Sequence, residues 1–397
     1  MEWKEVRLGD VCSELSDGLH KAPKFIEKGE YIFVNAKNLY NGYILDNDPT
    51  KKTSHEEYLK YKKPLGKHTI LYSIDGTIGN IAKYRGEKCV LGKGACYINC
   101  NPEIVESSYL YYQLQSPHFK SYIHLMSTGS TIKHISLKTM RDYVLKMPSL
   151  ADQRHIASIL SSLDRKIELN NKINADLEEM AQAIFKNWFV DFEPFKDGKF
   201  VDSELGMIPE GWKVGSPYEY VKVVYGAPYK SAKFNDDGEG LPLIRIRDLK
   251  DCNPQFYTPE ILPQTEYVNM GDIVAGMDAE FVPHIWKGKM GLLNQRVCKL
   301  IPQQTSISNL FVLYLMKPEL EFVQSYKTGT TVSHLGKADI DKFVVVLPPL
   351  EVVEDCSKLL DSILQRIKNI SAESRTLSLL RDTLLPRLMS GELEVPE

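Results

Sequence analysis

The feature of this sequence that most constrains its fold is an internal repeat with an offset of 200 residues. The segment Thr128–Ile135 recurs as Thr328–Leu335, and the register continues without gaps to Pro148 and Pro348. A period of this length far exceeds the roughly 20 to 50 residues of a solenoid repeat. Each copy is therefore predicted to be a domain in its own right, and the chain to be a tandem pseudo-dimer.

Each copy is predicted to contain a strand-rich globule followed by a long helix. Short β-type runs such as Tyr31–Val34 and Thr69–Ile74 are interrupted by turn residues. After Pro148 and Pro348 the pattern becomes helical, without Gly or Pro, over about 151–189 and 351–385. The prediction is an α+β fold with two strand-rich domains in a tandem pseudo-two-fold repeat, separated by two long antiparallel coiled-coil helices. The predicted boundaries are 1–149, 150–206, 207–349 and 350–397.

Both predicted helices carry a heptad stripe. Steps of alternately four and three residues from Ile156, and from Cys356 at the 200-residue offset, reach apolar side chains at 8 of 10 positions in each helix. This is the period of a coiled-coil seam, so the two helices are predicted to pack together. The predicted seam residues are Ile156, Leu160, Leu163, Ile167, Leu177, Ile184, Leu360, Ile363, Ile367, Ile370, Leu377 and Leu384.

Three polar residues, Asn170, Asn174 and Ser374, also fall on the stripe. A buried amide in a seam costs stability but can fix the register of the partner helices. The alternative is that these residues lie at the edge of the seam and contact water. The sequence leaves both interpretations open.

The predicted helix length suggests a spatial arrangement for the two globules. About 38 helical residues make a rod of about 57 Å. If the helices are antiparallel, the rod holds one globule at each end, about one and a half DNA turns apart at roughly 34 Å per turn. Two similar but non-identical faces at this spacing suit a bipartite DNA site.

Composition and charge narrow the class of protein. The chain has 25% charged residues, no apolar run of about 18 residues and no signal-peptide core at its start, so we expect a cytoplasmic protein. Residues 1–148 carry 21 Lys and Arg against 16 Asp and Glu, whereas 151–205 and 350–397 have net charges of −4 and −3. The seven cysteines form no CxxC pair, and we expect structural thiols and no metal site.

Three segments resemble motifs of the specificity subunit of type I restriction-modification systems. They are Ile184–Pro194 at the end of the first helix, Leu205–Trp212 at the start of the second globule, and Leu384–Leu393 near the C-terminus. Together with the repeat of globule and helix, the resemblance covers the whole chain. It implies that the two globules are target-recognition domains, each reading half of an interrupted, asymmetric DNA site, and that the helices set their spacing and dock methyltransferase subunits.

The same resemblance implies a chain without catalytic activity or a cofactor of its own. S-adenosylmethionine, ATP and magnesium would belong to partner subunits: two modification (methyltransferase) subunits and restriction (translocase and nuclease) subunits. The other expected partner is double-stranded DNA, with no membrane. Alternatives are the specificity chain of a methyltransferase-only or fused nuclease-methyltransferase system, and a scaffold that does not bind DNA.

Candidate DNA contacts are loop residues whose side chains suit base edges or phosphates. Arg and Lys pair with guanine, Asn and Gln pair with adenine, and phosphates need only charge or donors. In the first domain the candidates are Lys21, Lys24, Lys37, Asn38, Lys93, Lys133 and His134. In the second domain they are Lys230, Lys233, Arg245, Arg247, Asn294, Gln295, Arg296 and His334.

The repeated Thr-Gly-(Ser/Thr)-Thr loop is a further candidate because it occurs in both copies. The hydroxyls of Thr131 and Thr331 could bind phosphate beside Lys133 or Lys327. Alternatively, the loop glycines only provide a turn and the threonines cap local backbone amides. The sequence does not separate these two interpretations.

Overall fold

The computed structural model describes residues 3–47, 50–128, 133–327 and 334–394. The chain divides into two compact units. Unit 1 comprises Met1–Lys166 and Leu377–Glu397, and unit 2 comprises Ile167–Thr376. Each unit therefore contains one globule and parts of both long helices, so packing divides the chain differently from the segment boundaries drawn along the sequence, which stay a prediction.

Unit 1 contains short strands and four short helices before the first long helix. Its strands are β1 (Lys4–Arg7), β2 (Cys12–Asp17), β3 (Tyr31–Val34), β4 (Leu39–Tyr40), β5 (Tyr43–Ile44), β6 (Lys52–Thr53), β7 (Thr69–Ser73), β8 (Ile81–Lys83), β9 (Cys89–Leu91), β10 (Ala95–Cys100) and β11 (Val144–Met147). Its helices are α1 (His55–Tyr61), α2 (Ser107–Gln113), α3 (Pro117–Met126), α4 (Leu137–Asp142) and the start of α5 (Leu150–Phe189).

The central sheet of unit 1 has the antiparallel order β2-β10-β7-β8 and is buried on both faces. Alternate strand residues point to opposite faces. Ile70 and Tyr72 of β7 enter a core with the α2 and α3 side chains, whereas Leu71 enters a second core with Val34 and Leu91. A second sheet, β6-β3-β9, supplies that second core, and its strands β3 and β9 are parallel.

Unit 2 repeats this plan. Its strands are β12 (Phe200–Val201), β13 (Ile208–Pro209), β14 (Lys213–Gly215), β15 (Val221–Tyr225), β16 (Leu241–Ile244), β17 (Tyr257–Thr258), β18 (Tyr267–Val268), β19 (Ile273–Gly276), β20 (Pro283–Ile285), β21 (Gly291–Leu293), β22 (Val297–Pro302) and β23 (Val345–Leu347). Its helices are the C-terminal part of α5, α6 (Asn309–Lys327), α7 (Lys337–Ile340) and most of α8 (Leu350–Ser390).

The central sheet of unit 2 matches that of unit 1 strand for strand, and the second sheets share their parallel pair of strands. The order β15-β22-β19-β20 corresponds to β2-β10-β7-β8, and β16 pairs in parallel with β21 as β3 does with β9. Ile273 and Val274 again enter separate cores from the two faces of the sheet. The predicted α+β class and tandem repeat are confirmed.

The long helices pack antiparallel within each unit. In unit 2, Asn170 contacts Glu373 and Asn174 contacts Ser371, so the partner number falls as the α5 number rises. In unit 1, Leu160 lies in the same core as Leu388. All twelve predicted seam residues are buried or half-buried.

One detail of the helices differs from the predictions, and one alternative that the sequence left open is decided. Helix α8 runs to Ser390 and passes through Pro386, beyond the expected end at residue 385. Burial of Leu388 and Met389 in the unit 1 core offsets the backbone hydrogen bond that the proline lacks. The polar seam residues Asn170 and Asn174 are buried, with 1% and 4% exposure, so they do not lie at a wet edge.

Candidate nucleic-acid interface

Loops at the ends of strands β2, β3, β7 and β9 of unit 1 lie side by side and form one surface. We call it loop face 1 and define it as residues 18–24, 35–38, 74–76, 92–94 and 133–134. Backbone hydrogen bonds join these loops: Leu19 N donates to Leu91 O (2.7 Å), Gly92 N to Val34 O (2.8 Å) and Ile74 N to Gly94 O (3.0 Å). The ends of four strands therefore place distant segments of the sequence side by side.

Unit 2 has an equivalent surface, loop face 2, formed by residues 226–233, 245–248, 277–280, 294–296 and 334. Ala227 N donates to Leu293 O (2.9 Å), Asn294 N to Ile244 O (3.2 Å) and Met277 N to Arg296 O (2.9 Å). These three bonds match the three bonds of loop face 1 one for one. The backbone of the surface is thus duplicated.

The close approach of backbones in each loop face requires glycine at one equivalent position. A Cβ on Gly18 would lie 2.3 Å from Leu91 O, and a Cβ on Gly226 would lie 2.2 Å from Asn294 O. No side chain fits at such distances. Both copies therefore retain glycine where the strand β2 or β15 meets the loop.

A histidine–aspartate pair occurs on both loop faces. His134 Nδ1 donates to Asp75, and His334 Nδ1 donates to Asp278 at 2.7 Å. The paired residues also form antiparallel β-bridges. Because the carboxylate fixes each ring through Nδ1, the Nε2 atom is directed away from the aspartate, and the side chains remain 42% and 47% exposed.

The predicted lysines of loop face 1 are exposed: Lys21, Lys24, Lys37, Lys93 and Lys133. On loop face 2, Lys230, Lys233, Arg247, Gln295 and Arg296 are exposed. Several cations of unit 2 are paired with carboxylates: Lys233 with Glu260 (2.9 Å), Arg296 with Asp278 (3.2 Å), and Lys327 with Asp339 (2.6 Å). Loop face 1 is therefore the more strongly basic of the two.

Two predicted amides are buried and serve the loop itself. Asn38 accepts from Asn35 N (2.9 Å) and donates to Leu45 O (3.1 Å) and Thr50 Oγ1 (2.9 Å). Asn294 is 8% exposed, and its side-chain oxygen accepts from Arg296 N (3.3 Å). A base contact by the Asn38 amide, or by the Asn294 oxygen, would compete with these local hydrogen bonds.

Arg245 is the most enclosed cation of the predicted set. Its guanidinium lies over the Phe256 ring, 4.2 Å from the centroid, and its side chain is 19% exposed. Burial lowers the pKa of Arg245, while the neighbouring Asp248 carboxylate opposes that shift. Thr131 and Thr331 lie outside the described residues, and Lys327 Nζ donates to His334 O (2.8 Å).

Several residues of these surfaces could not be recognised from the sequence. Asp75 and Asp278 lie 59 and 56 residues from their histidines, so no local pattern reveals the pairs. Glu57 and Glu260, which accept from the backbone N–H groups of Lys24 and Lys230 (2.9 Å each), give no sequence signal either. The available clue to these pairs was that the histidine recurs in both copies, as His134 and His334.

The part of the chain that the structure describes offers no group of three or more His, Cys, Asp or Glu side chains suited to a metal ion. No helix among the described residues is long and apolar enough to span a membrane. The duplicated loop faces, each with a histidine–aspartate pair and exposed cations, are typical of a two-domain binding protein.

Comparisons with known proteins agree with this class. The family described as "Type I restriction modification DNA specificity domain" matches residues 1–179 and 209–377. The chain belongs to this family, whose two matches coincide with the two copies of the repeat. The family predicted from the sequence motifs is confirmed.

Individual relatives match along their length. The type I restriction enzyme MjaIX specificity subunit of Methanocaldococcus jannaschii is 28% identical, with coverage of 100% of this chain and 94% of the relative. The HindI specificity subunit of Haemophilus influenzae is 24% identical, with coverage of 99% and 100%. The crystal structure of a type I S subunit from M. genitalium has a TM-score of 0.54 at 15% identity, covering 98% of this chain and 96% of that one, and shares the fold.

Proposed function

We propose that this chain is the DNA-recognition subunit of a type I restriction-modification enzyme, and that each loop face binds one half of an interrupted, asymmetric DNA site. The observation that carries the proposal is the duplicated loop face, in which the same backbone hydrogen bonds hold different side chains in the two units. A shared backbone suits two duplex segments of the same shape. Different side chains suit two different sequences.

The exposed side chains on these surfaces are of the types that nucleic acids require. Lysines and arginines neutralise phosphates and dominate affinity, whereas arginine, asparagine and glutamine pair with base edges. The histidines held by Asp75 and Asp278 present an imidazole edge at the equivalent place on each surface. The predicted contact residues therefore stay candidates for these roles.

The long helices are proposed to dock the catalytic subunits. The segments 151–205 and 350–397 have net charges of −4 and −3, so bare helices would repel DNA. Two modification subunits, one for each copy of the repeat, would cover this acidic surface and add positive charge around the duplex. They would carry S-adenosylmethionine, and restriction subunits would carry ATP and magnesium.

Single-molecule sequencing of adenine methylation tests the proposal. DNA is compared from cells that express the chain with its modification subunit and from cells that express the modification subunit alone. We expect an interrupted motif only when the chain is present. Replacing residues 1–148 with the matching segment of another family member should change one half of that motif and leave the other half intact.

Two results would contradict the proposal. If no interrupted motif appears, and the co-purified complex binds random duplexes without sequence preference, the chain is not a specificity subunit. A loop-face replacement that changes both halves of the motif together would contradict the assignment of one half-site to each unit.

A further inference from the structure

Comparing the two loop faces position by position separates residues that suit phosphates from residues that suit bases. The two half-sites of an asymmetric site share the sugar-phosphate backbone and differ in their bases. Side chains of the same chemistry at equivalent positions match what the half-sites share, and side chains that differ match what they do not share. This reasoning rests on the proposed function.

Asn35 and Arg245 occupy the same backbone position in the two units. Each follows the last residue of a parallel strand, β3 or β16, and each begins a 3₁₀ turn, Ala36–Asn38 or Ile246–Asp248. Asn35 N donates to Asn38 Oδ1 (2.9 Å), and Arg245 N donates to Asp248 Oδ2 (3.0 Å). The turn is the same, but the side chain that it presents is different.

The neighbouring position in the turn behaves in the opposite way. Lys37 and Arg247 are equivalent, both are exposed, and both are cations. In each unit this turn therefore carries one position that is a cation in both copies and one position whose side chain differs between the copies. Asparagine is the side chain that pairs with adenine, and arginine is the side chain that pairs with guanine.

Two donor atoms of the Arg245 guanidinium lack a hydrogen-bond partner among the described residues, while the side chain as a whole is 19% exposed. These donors are Nε and Nη2, and both atoms are buried. Asp248 Oδ2 is 3.7 Å from Nε, too far for a hydrogen bond. Stacking on Phe256 restricts the guanidinium, so less conformational entropy is lost when a ligand binds.

The charge near Arg245 distinguishes a base edge from a phosphate. The buried carboxylate of Asp248, 1% exposed, already lies beside the guanidinium. It repels a phosphate, which carries a full negative charge, more strongly than it repels the neutral O6 and N7 acceptors of guanine. Arg245 is therefore suited to a guanine edge, and the exposed Arg247 to a phosphate.

Asn35 has room for its amide because the facing residue is glycine. A Cβ on Gly92 would lie 2.3 Å from Asn35 Oδ1 and 2.7 Å from the Phe33 ring. In unit 2 the position of Gly92 is taken by Asn294, whose side chain bonds to its own loop. The half-buried Asn35 amide thus lies in a place that only unit 1 leaves open.

We infer that Asn35 and Arg245 are specificity-determining residues, which contact a base edge in the first and the second half-site respectively, while Lys37 and Arg247 contact phosphates. Asn35 is expected to select adenine and Arg245 to select guanine. Because the two residues belong to different units, a substitution of one is expected to change the base selected in its own half-site and not in the other.

The test uses the full chain co-purified with its modification subunit and sequencing of methylated DNA. N35R should alter one base of one half of the motif and leave the other half unchanged, and R245N should do the reverse. In binding assays, R245N should lose about 5- to 150-fold of discrimination at a single guanine. The matched controls K37Q and R247Q should keep both halves of the motif and reduce the salt slope of binding by about one each.

R245K keeps the charge but replaces the planar fork of the guanidinium with a flexible ammonium, so together with R245N it separates the two possible targets of Arg245. Relaxed preference at one base with little change in overall affinity supports base reading. Full retention of the motif in R245K and R245N, with uniformly weaker binding to all duplexes, assigns Arg245 to a phosphate and overturns the inference. Absence of any motif with the unchanged chain would instead overturn the proposed function, and hydrogen exchange of each variant checks that its unit remains folded.

Discussion

Units 1 and 2 share the backbone of their loop faces but attach their globules to the long helices in different ways. In unit 1, Tyr112 donates to the side chain of Asp164 (2.6 Å), which also accepts from Arg381 (2.8 Å). In unit 2 the tyrosine Tyr314 donates to the backbone oxygen of Glu178 (2.7 Å). The contrast shows that the loop-face backbone has been preserved in both copies while the side chains that anchor each globule have diverged.

The aromatic side chains show the same divergence. Trp212 of unit 2 lies among Phe189, Phe192 and Phe195, with ring centroids 6.0, 5.3 and 5.1 Å away. Its counterpart in the repeat, Trp3, is half-buried and lies against Gly391, where a Cβ would be 2.8 Å from the indole. Unit 2 therefore surrounds its tryptophan with aromatic rings, whereas the described ring contacts of unit 1, among them those of Phe119 and Tyr143, do not include Trp3.

Substitution of the two tryptophans should give the largest difference between the units. Trp212→Ala removes a large buried ring from a cluster and should lower the free energy of unfolding of unit 2 by about 3–5 kcal/mol. Trp3→Ala removes a half-buried ring and should cost unit 1 roughly 1–2 kcal/mol. Chemical denaturation followed by hydrogen exchange in each unit measures both, and equal costs would contradict the contrast.

The helix anchors should give a smaller difference. Asp164→Ala leaves the buried Tyr112 hydroxyl without an acceptor and should destabilise unit 1 by about 1–3 kcal/mol. Glu178→Ala breaks a partly exposed ion pair with Lys287 but keeps the tyrosine bond to the backbone, so it should cost at most about 1 kcal/mol. Tyr112→Phe in the Asp164→Ala background is the control, since it should recover part of the loss.

The polar seam of unit 2 should give the smallest effect on stability. Asn174 donates to Ser371 (3.1 Å), and its Oδ1 atom is buried and has no hydrogen-bond partner among the described residues. Asn174→Leu removes this half-satisfied amide, and the free energy of unfolding should change by less than about 1 kcal/mol. The register of α5 against α8 should become less uniform. Unit 2 should then show two exchanging populations, whereas unit 1 should show a single population. A single population in both units would rule out a register role for Asn174.

Some features were predictable because they depend on local pattern. The 200-residue repeat, the two long helices and their heptad stripes follow from spacing along the chain. The basic residues expected at the surface, such as Lys37 and Arg247, are indeed exposed. Charged loop residues need little tertiary information to place, since a cation without a partner stays in water.

Other features depended on contacts between distant residues. The helical pattern of the second long helix predicts an end at residue 385, because proline disfavours a helix interior, but burial of Leu388 and Met389 extends the helix to Ser390. The buried hydrogen bonds of Asn38 were equally hidden, because its type alone fits a base contact as well as a turn.

By itself, the sequence determined the class, the repeat and the helices of this protein, since periodicity and composition are properties of neighbouring residues. The tertiary structure alone decided which residues share a loop face, which carboxylates hold His134 and His334, and that Asn35 and Arg245 are equivalent. Those relations arise where the ends of separate strands meet, and strand pairing is set by the burial of whole sheets rather than by any local segment.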